Sequence, residues 1–168
     1  IGDLPVAEQV EAMRNPELRN ALLSEEFEAG HPFNALARNW EWMFPLDDPP
    51  NYAPPKEMSM AGQAASRGCT PQEIAYDRIL ETEGKGLFLA ALGNYENASL
   101  EGAHEMLSHP QCIPALGDGG AHYGAICDAS YSTFLLSHFV RDDSDLNFDL
   151  VQAVHMLSAK SAAAVGLN

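Results

Sequence analysis

The spacing of apolar residues predicts helices in the first part of the chain. Between residues 4 and 28 the apolar positions recur at steps of three and four residues, the period of one helix face. They are Val6, Val10, Met13, Leu18, Leu22 and Leu23. Asn15 and Pro16 interrupt the pattern, which indicates a break between two short helices. A helical hairpin or a kinked helix is therefore expected here, with another short helix over residues 58–66.

The clearest helix start lies in the middle of the chain. Thr70 is followed by Pro71 and, three residues on, by Glu73, which is the pattern of a capping box with proline at the first helical position. Gly84 is a natural stop because glycine readily adopts the left-handed conformation that ends helices. The sequence predicts a helix from Pro71 to about residue 83.

Residues 31–55 have a different composition. Four large side chains, Trp40, Trp42, Met43 and Phe44, precede a proline-rich connector at about residues 45–55, where five prolines favour extended and turn conformations. The aromatic residues favour burial, so we expect an ordered connector. This cluster is better explained by core or domain packing than by stacking against a ligand.

The second half of the chain alternates between strand and helix patterns. "GLFLAALGNY" is an apolar run of strand length, typical of a strand covered on both faces, and "CIPALGD" predicts a second buried strand. Between them Ser99 is expected to cap a helix, and further helices follow around residues 131–139 and 150–165. This order predicts an α/β fold with parallel strands joined by helical crossovers.

Composition and charge narrow the class of protein. The chain has 168 residues, 46% of them hydrophobic, which fits one globular domain. Its net charge of −15 disfavours nucleic acid and anionic membrane surfaces as partners. No apolar run approaches a membrane span, and three widely spaced cysteines suggest neither a disulfide framework nor a CxxC zinc site. We expect a soluble, cytoplasmic protein. Because the first residue is Ile1, we also expect the chain to be a processed or partial form of something larger.

The candidate chemistry lies in "IPALGDGGAHYGAICDAS", residues 113–130. Asp118 stands among three glycines where a strand is expected to end. Glycine permits a close backbone approach there, and an acid on such a corner points into the space at the end of the sheet. Asp118 is either a catalytic or metal-binding carboxylate or a turn former. His122 and Tyr123, on the same loop, either contact substrate or are ordinary loop and core residues.

Asp128 and Cys127, at the end of this stretch, are expected to have structural rather than catalytic roles. Asp128 is better explained as a helix N-cap than as a catalytic group. Cys127 is expected to be a small buried cysteine, since a thiol nucleophile would need a base and a lowered pKa. The histidines show neither HxH nor HExxH spacing, and outside this loop they are expected to be structural.

Four segments carry a resemblance to a known family. They are "LPVAEQVEAMRNPELRNALL", "WMFPLDDPPNYAPP", "ALGDGGAHYGAICDASYSTFLLSHFVRD" and "VQAVHMLSAKSAAAVGL". Together they resemble the C-terminal part of the N-acyl-D-amino-acid deacylases, or D-aminoacylases, of the amidohydrolase superfamily. The resemblance covers nearly the whole chain. The family's corner more often reads Ser-Asp-Gly, where this chain has Gly117 before Asp118.

The resemblance implies a partial (β/α)8 TIM-barrel fragment, helix-rich, with residues 1–168 covering about strands seven and eight and their helices. It also implies a zinc-dependent enzyme that hydrolyses N-acyl-D-amino acids or related small amides. Asp118 matches the family's metal-site and proton-transfer residue. The family's other metal ligands would lie before Ile1, so the isolated chain is expected to be inactive. The rest of the parent barrel or a second copy would cover the open sheet edges.

Two other interpretations stay open at this stage. In the first, the chain is a non-catalytic fragment or binding module with an incomplete metal site. In the second, it belongs to an unrelated α/β enzyme that uses Asp118 with His122.

Overall fold

The computed structural model describes residues 1–26, 38–115, 117, 119–120, 126–142 and 145–167. The chain divides into two compact units, residues 1–99 and 100–168. The described part is helix-rich and contains a small sheet of two antiparallel strands. The predicted abundance of helix is confirmed, and each unit is described by itself below.

The first unit begins with the predicted pair of short helices, α1 (Val6–Met13) and α2 (Pro16–Ser24). Asn15 separates them because its side-chain oxygen accepts hydrogen bonds from the backbone N–H groups of Glu17 and Leu18, at 2.8 and 3.4 Å. Asparagine capping followed by proline at the first helical position starts α2 at that point. The break predicted from the sequence is confirmed.

The next two helices also follow their sequence signals. A 3₁₀ turn, Lys56–Met58, leads into α3 (Met60–Arg67), and α4 spans Pro71–Glu81. The capping box of α4 is formed: the Thr70 hydroxyl accepts from the Glu73 N–H at 3.3 Å, and the Glu73 carboxylate accepts from the Thr70 N–H at 2.8 Å.

The sheet joins two segments that the sequence did not predict as partners. β1 (Met43–Leu46) runs antiparallel to β2 (Leu87–Ala90), so that Phe44 lies opposite Leu89. The strand predicted in "GLFLAALGNY" is confirmed, but its partner comes from the connector. β2 is also not covered on both faces, because Leu87 is 63% exposed.

β1 contains Pro45, which has no N–H to donate to a neighbouring strand. The register of β1 against β2 makes this possible. The Ala91 N–H donates to the Trp42 carbonyl, and hydrogen-bonded pairs alternate along an antiparallel ladder. Pro45, paired with Phe88, therefore occupies a position whose N–H is not needed by the ladder. The proline content of this part of the chain predicted extended and turn conformations rather than regular structure. That expectation was wrong for the four residues of β1.

The predicted second strand is wrong for the described residues. Residues 112–115 and 117, the described part of "CIPALGD", have no strand conformation. Ile113 is 36% exposed, so this apolar run is not the buried interior of a parallel sheet. An apolar run of this length carries no intrinsic strand preference without a neighbouring strand to pair with.

The core of the first unit surrounds α3 and α4. Met60, Ala64 and Ile74 are buried, and Trp40, Met43 and Phe88 are among the residues that pack against them. The predicted packing role is thus confirmed for Trp40 and Met43.

Phe44 is fully buried and packs against Tyr95 rather than against the residues around α3 and α4. Its ring meets the Tyr95 ring edge-on with centroids 6.1 Å apart. The Tyr95 hydroxyl donates to the Pro54 carbonyl, which attaches the proline-rich segment to the chain beyond β2.

The second unit is built from helices. α5 spans Glu101–Ser108, and Leu100 rather than Ser99 occupies its N-cap position, without a side-chain capping bond. α6 (Tyr131–Leu136) is entered through a 3₁₀ turn and continues as a π-helical turn over Ser137–Arg141.

The remaining helices form one nearly continuous segment. α7 (Leu150–His155) continues through a π-helical turn, Met156–Lys160, into α8 (Ser161–Ala164). The predicted helices of this half are confirmed. Their core consists of Leu135, Phe139, Phe148, Ala153 and Met156.

We expect Gly62 in α3 to be required for packing. A β-carbon there would lie 2.7 Å from the Glu57 carbonyl oxygen and 2.8 Å from that of Lys56. Gly62→Ala should therefore lower the free energy of unfolding by about 1–3 kcal/mol, as overpacking does. Gly102→Ala is the matched control, because nothing lies within 4 Å of a β-carbon in this first turn of α5. Urea denaturation should separate the two, and equal effects would contradict the packing argument.

Alkaline stability should depend on Tyr95. Burial raises the pKa of its phenol. A folded-state pKa above the unfolded value of about 10 gives stability that is complete below pH 10 and is lost as pH rises through the folded-state pKa. Tyr95→Phe should cost about 1 kcal/mol at pH 7, because the Pro54 carbonyl loses its donor, and should flatten the loss of stability above pH 10. Melting temperatures measured from pH 7 to 11 test this, and parallel curves for the two proteins would contradict it.

Candidate functional site

The three residues predicted to carry chemistry, Asp118, His122 and Tyr123, lie outside the described residues. The described part of the corner consists of Gly117, Gly119 and Gly120. The site is therefore built from these glycines and from the helix start that Gly117 and Gly119 contact.

Gly117 lies directly against the 3₁₀ turn, Asp128–Ser130, that leads into α6. A β-carbon at Gly117 would be 2.9 Å from the Cα of Ala129, 3.1 Å from the Asp128 carbonyl oxygen and 3.2 Å from Cδ1 of Tyr131. The first of these is closer than non-bonded carbon atoms approach, so a side chain at this position requires the backbone to move. The predicted close approach at a glycine is confirmed for Gly117.

Gly119 contacts the same helix start. A β-carbon there would lie 3.2 Å from the Cβ of Ala129. The glycines on both sides of Asp118 in the sequence are thus placed against one residue, Ala129. The residue pattern did not indicate Ala129, because it lies 12 residues after Gly117 and 10 after Gly119 in the sequence. The space at Gly120 is open, since nothing lies within 4 Å of a β-carbon there.

Asp128 is not the N-cap that the sequence predicted. The 3₁₀ turn Asp128–Ser130 begins one residue earlier than expected, with Cys127 at the N-cap position and no side-chain capping bond. Asp128 instead lies in the first turn, where the helix dipole favours a negative charge.

Cys127 is exposed, so the expectation of a buried cysteine was wrong. Desolvation by the surrounding chain raises the pKa of the Cys127 thiol, and the negative charge of Asp128 raises it further. Both effects disfavour the thiolate, which is the reactive form. The environment of Cys127 therefore argues against a nucleophilic role.

Three described histidines of the second unit, His104, His109 and His138, take part in packing and turns. The His104 ring stacks on Phe148 with centroids 4.4 Å apart, and the His138 ring stacks on Phe134 at 4.9 Å. His109 Nδ1 accepts a hydrogen bond from the Gln111 N–H at 3.2 Å. These contacts agree with the structural role predicted for them. His31 lies outside the described residues.

Among the residues that the structure describes, no three histidine, cysteine, aspartate or glutamate side chains converge as a metal site requires. Within the same residues, no helix has the length and apolar content needed to cross a membrane.

Comparisons with protein-family models, with curated proteins and with solved structures give no match.

The contact between Gly117 and Ala129 gives a direct test. We expect Gly117→Ala to displace the corner from the helix start and to lower the melting temperature by several degrees, corresponding to about 1–3 kcal/mol of overpacking. Gly120→Ala, three residues away, should leave the melting temperature nearly unchanged because its β-carbon meets open space. Thermal unfolding followed by circular dichroism measures both. If Gly117→Ala has the same melting temperature as the unmodified protein, the inferred close packing of Gly117 on Ala129 is wrong.

Proposed function

We propose that this chain is part of a metal-dependent amidohydrolase of the N-acyl-D-amino-acid deacylase type, which hydrolyses the amide bond of N-acyl-D-amino acids or related small amides. The main support is the aspartate–glycine corner, "ALGDGGAHYGAICDAS", followed by a helix. The three other segments that resemble the family add to it. The finer fold implied by the proposal is about strands seven and eight of a (β/α)8 barrel with their helices.

The described geometry supports a specific role for the corner. Gly117 and Gly119 both lie against Ala129, at distances that exclude a side chain at Gly117 without backbone movement. Groups that act on a substrate must be held in place by rigid surroundings, and glycines packed on a helix start contribute to such surroundings. Gly117 also replaces the serine that is more frequent in the family. A serine β-carbon would clash with Ala129 in this packing, so the replacement fits this local geometry.

Asp118 is assigned the role of proton acceptor. A carboxylate at this corner takes a proton from the attacking water as that water adds to the amide carbonyl. His122 and Tyr123 are assigned contacts with the substrate, because they follow on the same loop and offer one imidazole and one phenol as hydrogen-bonding groups.

The proposed enzyme class uses zinc, which when bound polarises the carbonyl and lowers the pKa of water. The described residues do not fit a complete zinc site, since no three ligand side chains converge among them. Asp118 would supply one carboxylate, and the proposal assigns the other ligands to the rest of the parent enzyme.

The decisive variant is Asp118→Asn in the full-length parent protein supplied with zinc. Turnover of N-acyl-D-amino acids should fall by about 10²- to 10⁴-fold, the usual contribution of a general base. The amide has nearly the same shape as the carboxylate, so the melting temperature should stay near that of the parent.

Asp128→Asn is the matched control, because the Asp128 side chain is exposed and lies on the 3₁₀ turn that follows the loop. It should keep the parental rate. If Asp118→Asn also turns over substrate at the parental rate, Asp118 is a turn former and the proposed chemistry is wrong. If the parent binds N-acyl-D-amino acids without hydrolysing them, the non-catalytic alternative replaces the proposal.

A further inference from the structure

The helices α1 and α2, named the helix pair below, bury few apolar side chains. In these two helices, which the structure describes throughout, Val10 is the only buried residue. Val6 and Val10 lie against Gly84, just beyond the end of α4: a β-carbon at Gly84 would be 2.6 Å from Cγ1 of Val6 and 3.1 Å from Cγ2 of Val10. Val6 is nevertheless 53% exposed. Burial of apolar area therefore contributes little to the attachment of the helix pair.

Polar contacts join the helix pair to α4. The guanidinium of Arg19, in α2, forms ion pairs with Asp77 at 3.2 Å and with Glu73 at 3.7 Å. Its central carbon lies 5.4 Å from the centre of the Tyr76 ring, within the range of a cation–π contact. The Tyr76 hydroxyl donates to the carbonyl of Met13, the last residue of α1, at 2.6 Å. Both helices are thus attached to one face of α4, since its three contact residues are spaced by three and four positions.

The charges make Arg19 the residue on which this attachment depends. The helix pair carries two arginines and three glutamates: Arg14, Arg19, Glu8, Glu11 and Glu17. Arg14 is paired inside its own helix, with Glu11 at 3.7 Å. Without the charge of Arg19, an acidic helix pair would face the two carboxylates of α4, and like charges repel each other.

The rest of the first unit does not use the helix pair for its core. α3 and α4 are held together by Met60, Ala64 and Ile74, and the residues packed around these three come from outside the helix pair. The start of α4 is fixed by its own capping box at Thr70. α4 therefore keeps its packing on one face when the contacts on its other face are lost.

We propose that the helix pair detaches from α4 while α3 and α4 stay folded, and that the contacts of Arg19 and Tyr76 control this opening. Elements held by few buried apolar contacts open at a lower free energy than the core of the same protein. Opening would expose the Val10 side chain and the face of α4 that carries Glu73, Tyr76 and Asp77. This proposal is independent of the proposed function.

Amide hydrogen exchange of the 168-residue chain, followed by mass spectrometry near pH 7, tests the proposal. After correction for intrinsic rates, the hydrogen-bonded amides of the helix pair should exchange at least about tenfold faster than those of α4. Arg19→Gln should raise the exchange of the helix pair about tenfold more, because two ion pairs and a ring contact are lost together. Tyr76→Phe should raise it about fivefold, because the Met13 carbonyl loses its donor.

Ile74→Val distinguishes local opening from global unfolding. Ile74 is 4% exposed in the core of α3 and α4, and this substitution weakens the core without touching the contacts of the helix pair. It should raise the exchange of α4 about fivefold, as loss of a buried methylene group does, and leave that of the helix pair unchanged. If the helix pair opened only when the whole unit unfolds, Ile74→Val would raise both equally.

Arg14→Gln is the matched control for Arg19→Gln. It removes the same charge from the helix pair, but Arg14 is 52% exposed and its ion pair lies within α1. Its exchange should equal that of the unmodified chain. Equal protection of the helix pair and α4 overturns the proposal, as does a response of the helix pair to Ile74→Val as large as that of α4. An effect of Arg19→Gln no larger than that of Arg14→Gln also overturns it.

Discussion

The first unit depends on the pairing of β1 with β2. This contact joins segments more than 40 residues apart, and it brings Phe44 into a fully buried position. The entropy of closing so long a loop is recovered by the burial of an aromatic side chain and by the ladder between the strands. Through Tyr95, which contacts both Phe44 and the Pro54 carbonyl, the same contact fixes the proline-rich segment. The connector is thus part of a core.

The second unit is organised differently. Its core is formed by Leu135, Phe139, Phe148, Ala153 and Met156, with His104 stacked on Phe148. Among the described residues of this unit, helices bury these side chains and no strand takes part. Gly117 and Gly119, which belong to this unit, lie against Ala129, and Gly117 also lies against Tyr131. Glycines that were expected to follow a strand are instead placed against a helix start. Such a placement is local and does not require a complete barrel.

The sequence by itself determined the features that depend on neighbouring residues. The break at Asn15, the capping box at Thr70 and the helices of the second half are encoded within a few residues, since capping bonds and helix periods are local. For the site, the sequence predicted the close approach at Gly117 but not the residue approached. Tertiary structure alone decided that β2 pairs with the connector, that Cys127 is exposed and that Ala129 meets the glycine corner. Each of these depends on which distant segment comes into contact, and an apolar run or a glycine in the sequence does not specify its partner.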